Sequence, residues 1–102
     1  MKEIIKGVEV LAMAEMENAN GKFPMFRSTH EGYAIIKEEY EEAITEIENV
    51  RFELDGVWSH TKRNDKESAI AHVERLQERA IHLAAESIQI IAMAQKYLES
   101  KL

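Results

Sequence analysis

Lys37 to Glu48 reads KEEYEEAITEIE and places six glutamates in twelve residues beside a single lysine. On a helix, Glu38/Glu42 and Glu42/Glu46 are i,i+4 neighbours, and Glu38/Glu41 and Glu39/Glu42 are i,i+3 neighbours. Each like-charge pair costs an isolated helix about 0.2–0.5 kcal/mol, and Lys37/Glu41 and Glu48/Arg51 relieve only part of it. Position matters more than number. At about 100° per residue, Glu39 and Glu46 border an apolar stripe of Ile36, Ala43 and Ile47, with Glu42 just outside. Glu41 and Glu48 point elsewhere, toward water. Carboxylates beside a packing seam are partly desolvated, so they must pair, hold their protons or bind a cation. A solvated acidic face remains the alternative.

A second polar group lies downstream. His82, Glu86 and Gln89 share one flank of a later helix, at i, i+4 and i+7. A helical hairpin turning near Asn64 sets residues near 40 opposite residues near 86, so the two groups are expected to face each other. Hard oxygen donors of this kind suit Mg2+ or Mn2+, which keep waters and share the remaining positions with phosphate. Phosphoryl chemistry needs positioning and charge stabilisation and no protein nucleophile. Lys37, or Lys62, Arg63 and Lys66 at the helix turn, are candidate phosphate contacts or plain surface charge. His30, beside two phenylalanines, is a candidate contact to base or phosphate, or a loop-packing residue. Tyr40 and Trp58 read as seam residues, and Met13, Met16 and Met93 as core.

Other metal chemistries do not fit. A di-iron bundle wants Glu-x-x-His on two helices, but the residues three before His30, His60, His72 and His82 are Arg27, Val57, Ala69 and Arg79. The HExxH zinc motif fails because His30-Glu31 continues Gly32-Tyr33-Ala34. With no cysteine there is no thiolate site and no disulfide.

Three helices are expected to carry these residues. Ile4, Ile5, Val8, Leu11 and Ala12 recur at helical spacing over about 16 residues. Asn18-Ala19-Asn20-Gly21 with Pro24 reads as the stop. Gly21 to Arg27 then forms a loop whose phenylalanines pack. Ser28 with Glu31 is a capping box opening the second helix. Along it, Tyr33, Ile36, Tyr40, Ala43, Ile47, Val50, Leu54 and Val57 alternate in steps of three and four, a seam repeat. Gly56 is expected to weaken the far end by about 1 kcal/mol relative to alanine. Asn64-Asp65-Lys66-Glu67 caps the third helix, whose apolar face runs from Ile70 and Val73 through Ala84 and Ile91 to Leu98.

The chain of 102 residues is expected to form one all-α domain, 1–102, a long antiparallel hairpin plus an N-terminal helix. Two helices of about 30 residues would each run roughly 45 Å, too long for one short helix to cover. A four-helix-bundle-like core completed by a homodimer or homotetramer is therefore expected. The net charge of −6 disfavours a nucleic-acid partner. The N-terminus carries Glu3 and Glu9 and lacks a signal-peptide core, and no membrane-length apolar run is present. A soluble, cytoplasmic protein is expected.

Glu38-Glu39-x-x-Glu42 followed on the next helix by Glu86-x-x-Gln89 resembles the MazG-like all-α nucleoside triphosphate pyrophosphohydrolases, whose signature is EExxE then ExxD. His30-Glu31-Gly32-Tyr33-Ala34 and Ile88-Gln89-Ile90-Ile91-Ala92-Met93-Ala94 also look like small members of that family, and the resemblance spans about residues 22–100. It implies Mg2+-dependent hydrolysis of a nucleoside triphosphate to the monophosphate and pyrophosphate, a nucleotide-pool house-cleaning role. Carried over, Glu39, Glu42 and Glu86 would hold metal, and Glu38 would be a ligand or the general base for water. Gln89 departs from the pattern, since an amide oxygen can ligate a hard cation but brings no charge. A catalytically weak or inactive helical oligomer, acting in nucleotide binding or protein interaction, is the alternative.

Overall fold

The structure, a computed structural model, describes the backbone of residues 1–22 and 25–102 and the side chains of residues 1–18 and 25–102. It is all-helical among the described residues: α1 is Lys2–Lys22, α2 is Thr29–Lys62 and α3 is Lys66–Glu99. None is long and apolar enough to cross a membrane. The chain divides into two compact units, 1–41 with 86–102, and 42–85. Both α2 and α3 run unbroken from one unit into the other.

The stop expected at Asn18–Gly21 does not end α1, which continues to Lys22. Asparagine and glycine cost a helix only about 0.5–1 kcal/mol each, and the packing of Ala12 and Met16 outweighs that. The parts expected of Phe23 and Pro24 lie outside the described residues. In this unit Met16, Phe26, Ala92 and Met93 form the core, with Ile35, Ile36 and Tyr97 packed against it. Met13, expected in the core, is exposed. Phe26 does pack: its N–H donates to Ser100 Oγ at 3.1 Å, and Lys96 Nζ sits 4.8 Å from its ring centroid. Gly32 lies under the Tyr97 ring, where a side chain would collide.

The other unit is a helical hairpin closed by a Schellman turn. Asn64 takes the left-handed conformation with φ 56°. The Asp65 N–H donates to His60 O at 2.9 Å, and the Asn64 N–H to Thr61 O at 3.1 Å. Asp65 then caps α3, its Oδ1 accepting from the Ser68 N–H at 3.2 Å. The turn lies near Asn64 as expected, but the cap is Asp65, one residue later than the box Asn64–Glu67 would put it.

The expected seam of α2 is covered along one of its two lines only. Within the hairpin, α2 touches α3 through Glu53, Gly56 and His60, which meet His72. Of the seam residues, Ala43 is buried and Ile36, Val50 and Val57 are half-buried, whereas Tyr33, Tyr40, Ile47 and Leu54 are exposed. Trp58 is exposed as well. Gly56 explains part of the shift. Without a side chain there, the His72 ring can lie on the α2 backbone, so the flank carrying Gly56 becomes the contact.

Candidate metal centre

Two caps and one turn set where each carboxylate falls. At the start of α2, Ser28 Oγ accepts from the Glu31 N–H at 3.1 Å. Glu31 closes the box one residue further out than expected, accepting from the Arg27 N–H at 3.1 Å and pairing with the Arg27 guanidinium at 3.4 Å. The turn at Asn64 sets the register. Residues equidistant from Asn64 come opposite each other: Gly56 and His72 are each eight positions away, and Gly32 and Tyr97 are thirty-two and thirty-three.

That register gathers the carboxylates. Glu39, Glu42 and Glu86 each offer an oxygen, and these oxygens lie within 4.8 Å of one another. Glu39 and Glu86 belong to one compact unit. Glu42 begins the other, but it stands one turn beyond Glu39 on unbroken α2, so the helix itself fixes their spacing. Glu39 and Glu86 are half-buried and Glu42 is exposed. Like charges at this distance repel by about 1 kcal/mol per pair even at the dielectric of water. One turn further along α2, Glu46 is half-buried, and its Oε2 has no hydrogen-bond partner among the described residues. A hard divalent cation among the three carboxylates would offset that repulsion, and a water bound to it is one kind of partner for the Glu46 oxygen, one turn from Glu42.

The remaining candidates fall into different places. Gln89 follows Glu86 by one turn on the same flank and is half-buried, and Glu38 is exposed beside Glu39. Lys37 pairs with Glu41 at 4.0 Å, away from the three glutamates. His30 and His82 are exposed. Lys62 and Arg63 lie some twenty residues beyond Glu42, about 30 Å along α2. Lys62 Nζ instead sits 5.5 Å from the centroid of the Trp58 ring. The three carboxylates therefore come together, and the turn cations do not join them.

A second polar cluster was not anticipated. Glu53 is only 7% exposed, and its carboxylate accepts from His72 Nδ1 at 2.9 Å and from Arg75 Nε at 3.1 Å. These bonds, that from His72 foremost, hold the Glu53 carboxyl below its ordinary value, against the opposing effect of burial. The His72 ring stacks on His60 at 5.2 Å, and His60 Nδ1 lies 3.5 Å from Asp65 Oδ2. The signal was available in the same register, because Glu53 and Arg75 are each eleven residues from Asn64. Removing one partner of a pair buried to this degree would leave the other charge uncompensated.

Comparison with protein-family models, with curated proteins and with solved structures found no match to this chain.

Proposed function

We propose that the chain is a Mg2+-dependent nucleoside triphosphate pyrophosphohydrolase, releasing pyrophosphate and a nucleoside monophosphate. The supporting observation is the convergence of Glu39, Glu42 and Glu86 to within 4.8 Å, from the two motifs whose spacing resembles that family. In this reading those three residues hold the metal, with Mn2+ as a substitute, and Gln89 adds a neutral oxygen. Bound there, the cation would neutralise phosphate charge and lower the pKa of a water. Glu38, exposed beside Glu39, would be the base that takes the proton of the attacking water. Glu46 would orient an outer water. His30 and Lys37 stay as substrate contacts at the N-terminal end of α2, while Lys62 and Arg63 are too far along the helix to serve. The expected homodimer or homotetramer belongs to the same reading, as does a role in cleaning the nucleotide pool.

A non-catalytic helical module is favoured by one feature, Gln89, which leaves the site a charge short. Pyrophosphate release across a panel of ribo- and deoxynucleoside triphosphates with Mg2+ separates the two. Turnover lost in Glu39→Gln and equal or greater in Gln89→Asp supports the hydrolase. Full turnover in Glu39→Gln overturns the ligand assignment, and no release from any nucleotide favours the module.

A further inference from the structure

Two charged residues are buried among the described residues, Glu53 and Lys96. Glu53 has His72 and Arg75 as partners. Lys96, 4% exposed, pairs with no carboxylate among the described residues, and residues 19–24 contain no Asp or Glu. Its ammonium rests on the Phe26 ring, 4.8 Å from the centroid. A ring face recovers only part of the hydration that a buried ammonium gives up, and lysine is almost never fully buried without a partner. What this group lacks is an anion.

Lys96 also stands in line with the candidate metal centre. Glu86, Gln89, Met93 and Lys96 follow one another at steps of three, four and three, which keeps them on one flank of α3. All four belong to the unit 1–41 with 86–102, as do Glu39 and Phe26. Lys96 lies two turns past Gln89, about 10 Å along the helix. Helical side chains lean back toward the N-terminus, here toward Gln89. Lysine side chain and phosphate chain together span a gap of that size.

The centre calls for a cation on this side. One divalent ion does not neutralise three carboxylates, and phosphate brings more negative charge. Lys37 is held by Glu41, and the turn cations are far along α2. The cover over Lys96 is a loop residue, since Phe26 precedes the Ser28 cap and is tied to α3 by its N–H, which donates to Ser100 Oγ.

We propose that Lys96 receives the pyrophosphate end of the nucleoside triphosphate, its ammonium exchanging the Phe26 ring for phosphate oxygens. The phosphate chain then runs along α3 from Glu39 and Glu86 toward the start of α2. This rests on the hydrolase reading, but its test needs no turnover.

Calorimetric titration of inorganic pyrophosphate into the Mg2+-saturated chain tests it, with Lys96→Met, which removes the charge, and Lys96→Arg, which keeps it. Pyrophosphate affinity should fall about tenfold or more in Lys96→Met and much less in Lys96→Arg. In Lys96→Met, affinity for Mg2+ alone should hold or tighten, and the melting temperature should hold or rise, since a buried charge is gone. A nucleoside monophosphate, which lacks that end, should bind wild type and Lys96→Met alike. A lysine that only props the Phe26 loop predicts instead a lower melting temperature with pyrophosphate affinity unchanged.

Should Lys96→Met not fold, NMR of 13C-labelled lysines in the wild type decides. The Lys96 Cε signal, displaced by the ring current of Phe26, should move when pyrophosphate is added. Unchanged pyrophosphate affinity in Lys96→Met, a monophosphate weakened in its place, or a Lys96 signal that stays still overturns the assignment. Pyrophosphate that fails to bind a chain holding Mg2+ overturns it too, and leaves the metal centre standing. A chain that binds no metal fails the hydrolase reading itself and takes the assignment with it.

Discussion

Gly56 of α2 lies directly beneath the imidazole of His72 on α3, with the place of a Cβ only 2.5 Å from the ring. The ring is pinned from two other sides, by Glu53 at 2.9 Å and by the His60 ring at 5.2 Å.

Gly56→Ala should therefore lower the melting temperature, although alanine is better in a helix by about 1 kcal/mol. With His72→Ala already present, the same change should raise it. Thermal melts of the two single variants and the double variant give the coupling. A stabilising Gly56→Ala in the wild-type background would contradict the contact.

The Glu53 carboxyl is held below 4.5 by its bonds to His72 and Arg75, and Asp65 below 3.8 by the Ser68 hydroxyl and N–H. A carboxyl that binds its proton less tightly folded than unfolded stabilises fully above its unfolded value. That stability is lost as pH falls through the lower folded value. Between pH 5 and pH 2 to 3, wild type should lose melting temperature more steeply than Glu53→Gln, which should start lower at neutral pH. Melts at stepped pH check this, and parallel slopes would show that the Glu53 pairing is absent in solution.

Asn64 closes the hairpin in the left-handed region, φ 56°. Asn64→Ala should cost about 1–2 kcal/mol, the penalty of a Cβ in that conformation, and Asn64→Gly should cost nothing or stabilise. Urea unfolding monitored by circular dichroism measures both. Equal loss in the two variants would mean that the asparagine side chain matters, and not the backbone.

The legible parts of this fold were those with a local cause. Ser28, Asp65 and Asn64 announce helix ends through their own hydrogen bonds and dihedral preferences, and the turn at Asn64 sets a register that brings Glu86 to Glu39 and Glu42. What was not legible depended on which flank of α2 meets α3. The apolar repeat marked both of its lines alike, but Gly56 offered bare backbone on a further flank, where the His72 ring could lie on it. The Glu53 cluster was not legible for the same reason, because it stands off the apolar repeat. The end of α1 was missed because weak stop residues yield to packing.

The most direct measurement is calorimetric titration of Mn2+ and Mg2+ into the wild-type chain, Glu86→Gln and Gln89→Asp. The three converging carboxylates should give saturable binding at or below millimolar metal, weakened by an order of magnitude or more in Glu86→Gln and tightened in Gln89→Asp. No saturable binding at millimolar metal, or binding that Glu86→Gln leaves unchanged, would contradict a metal centre at Glu39, Glu42 and Glu86.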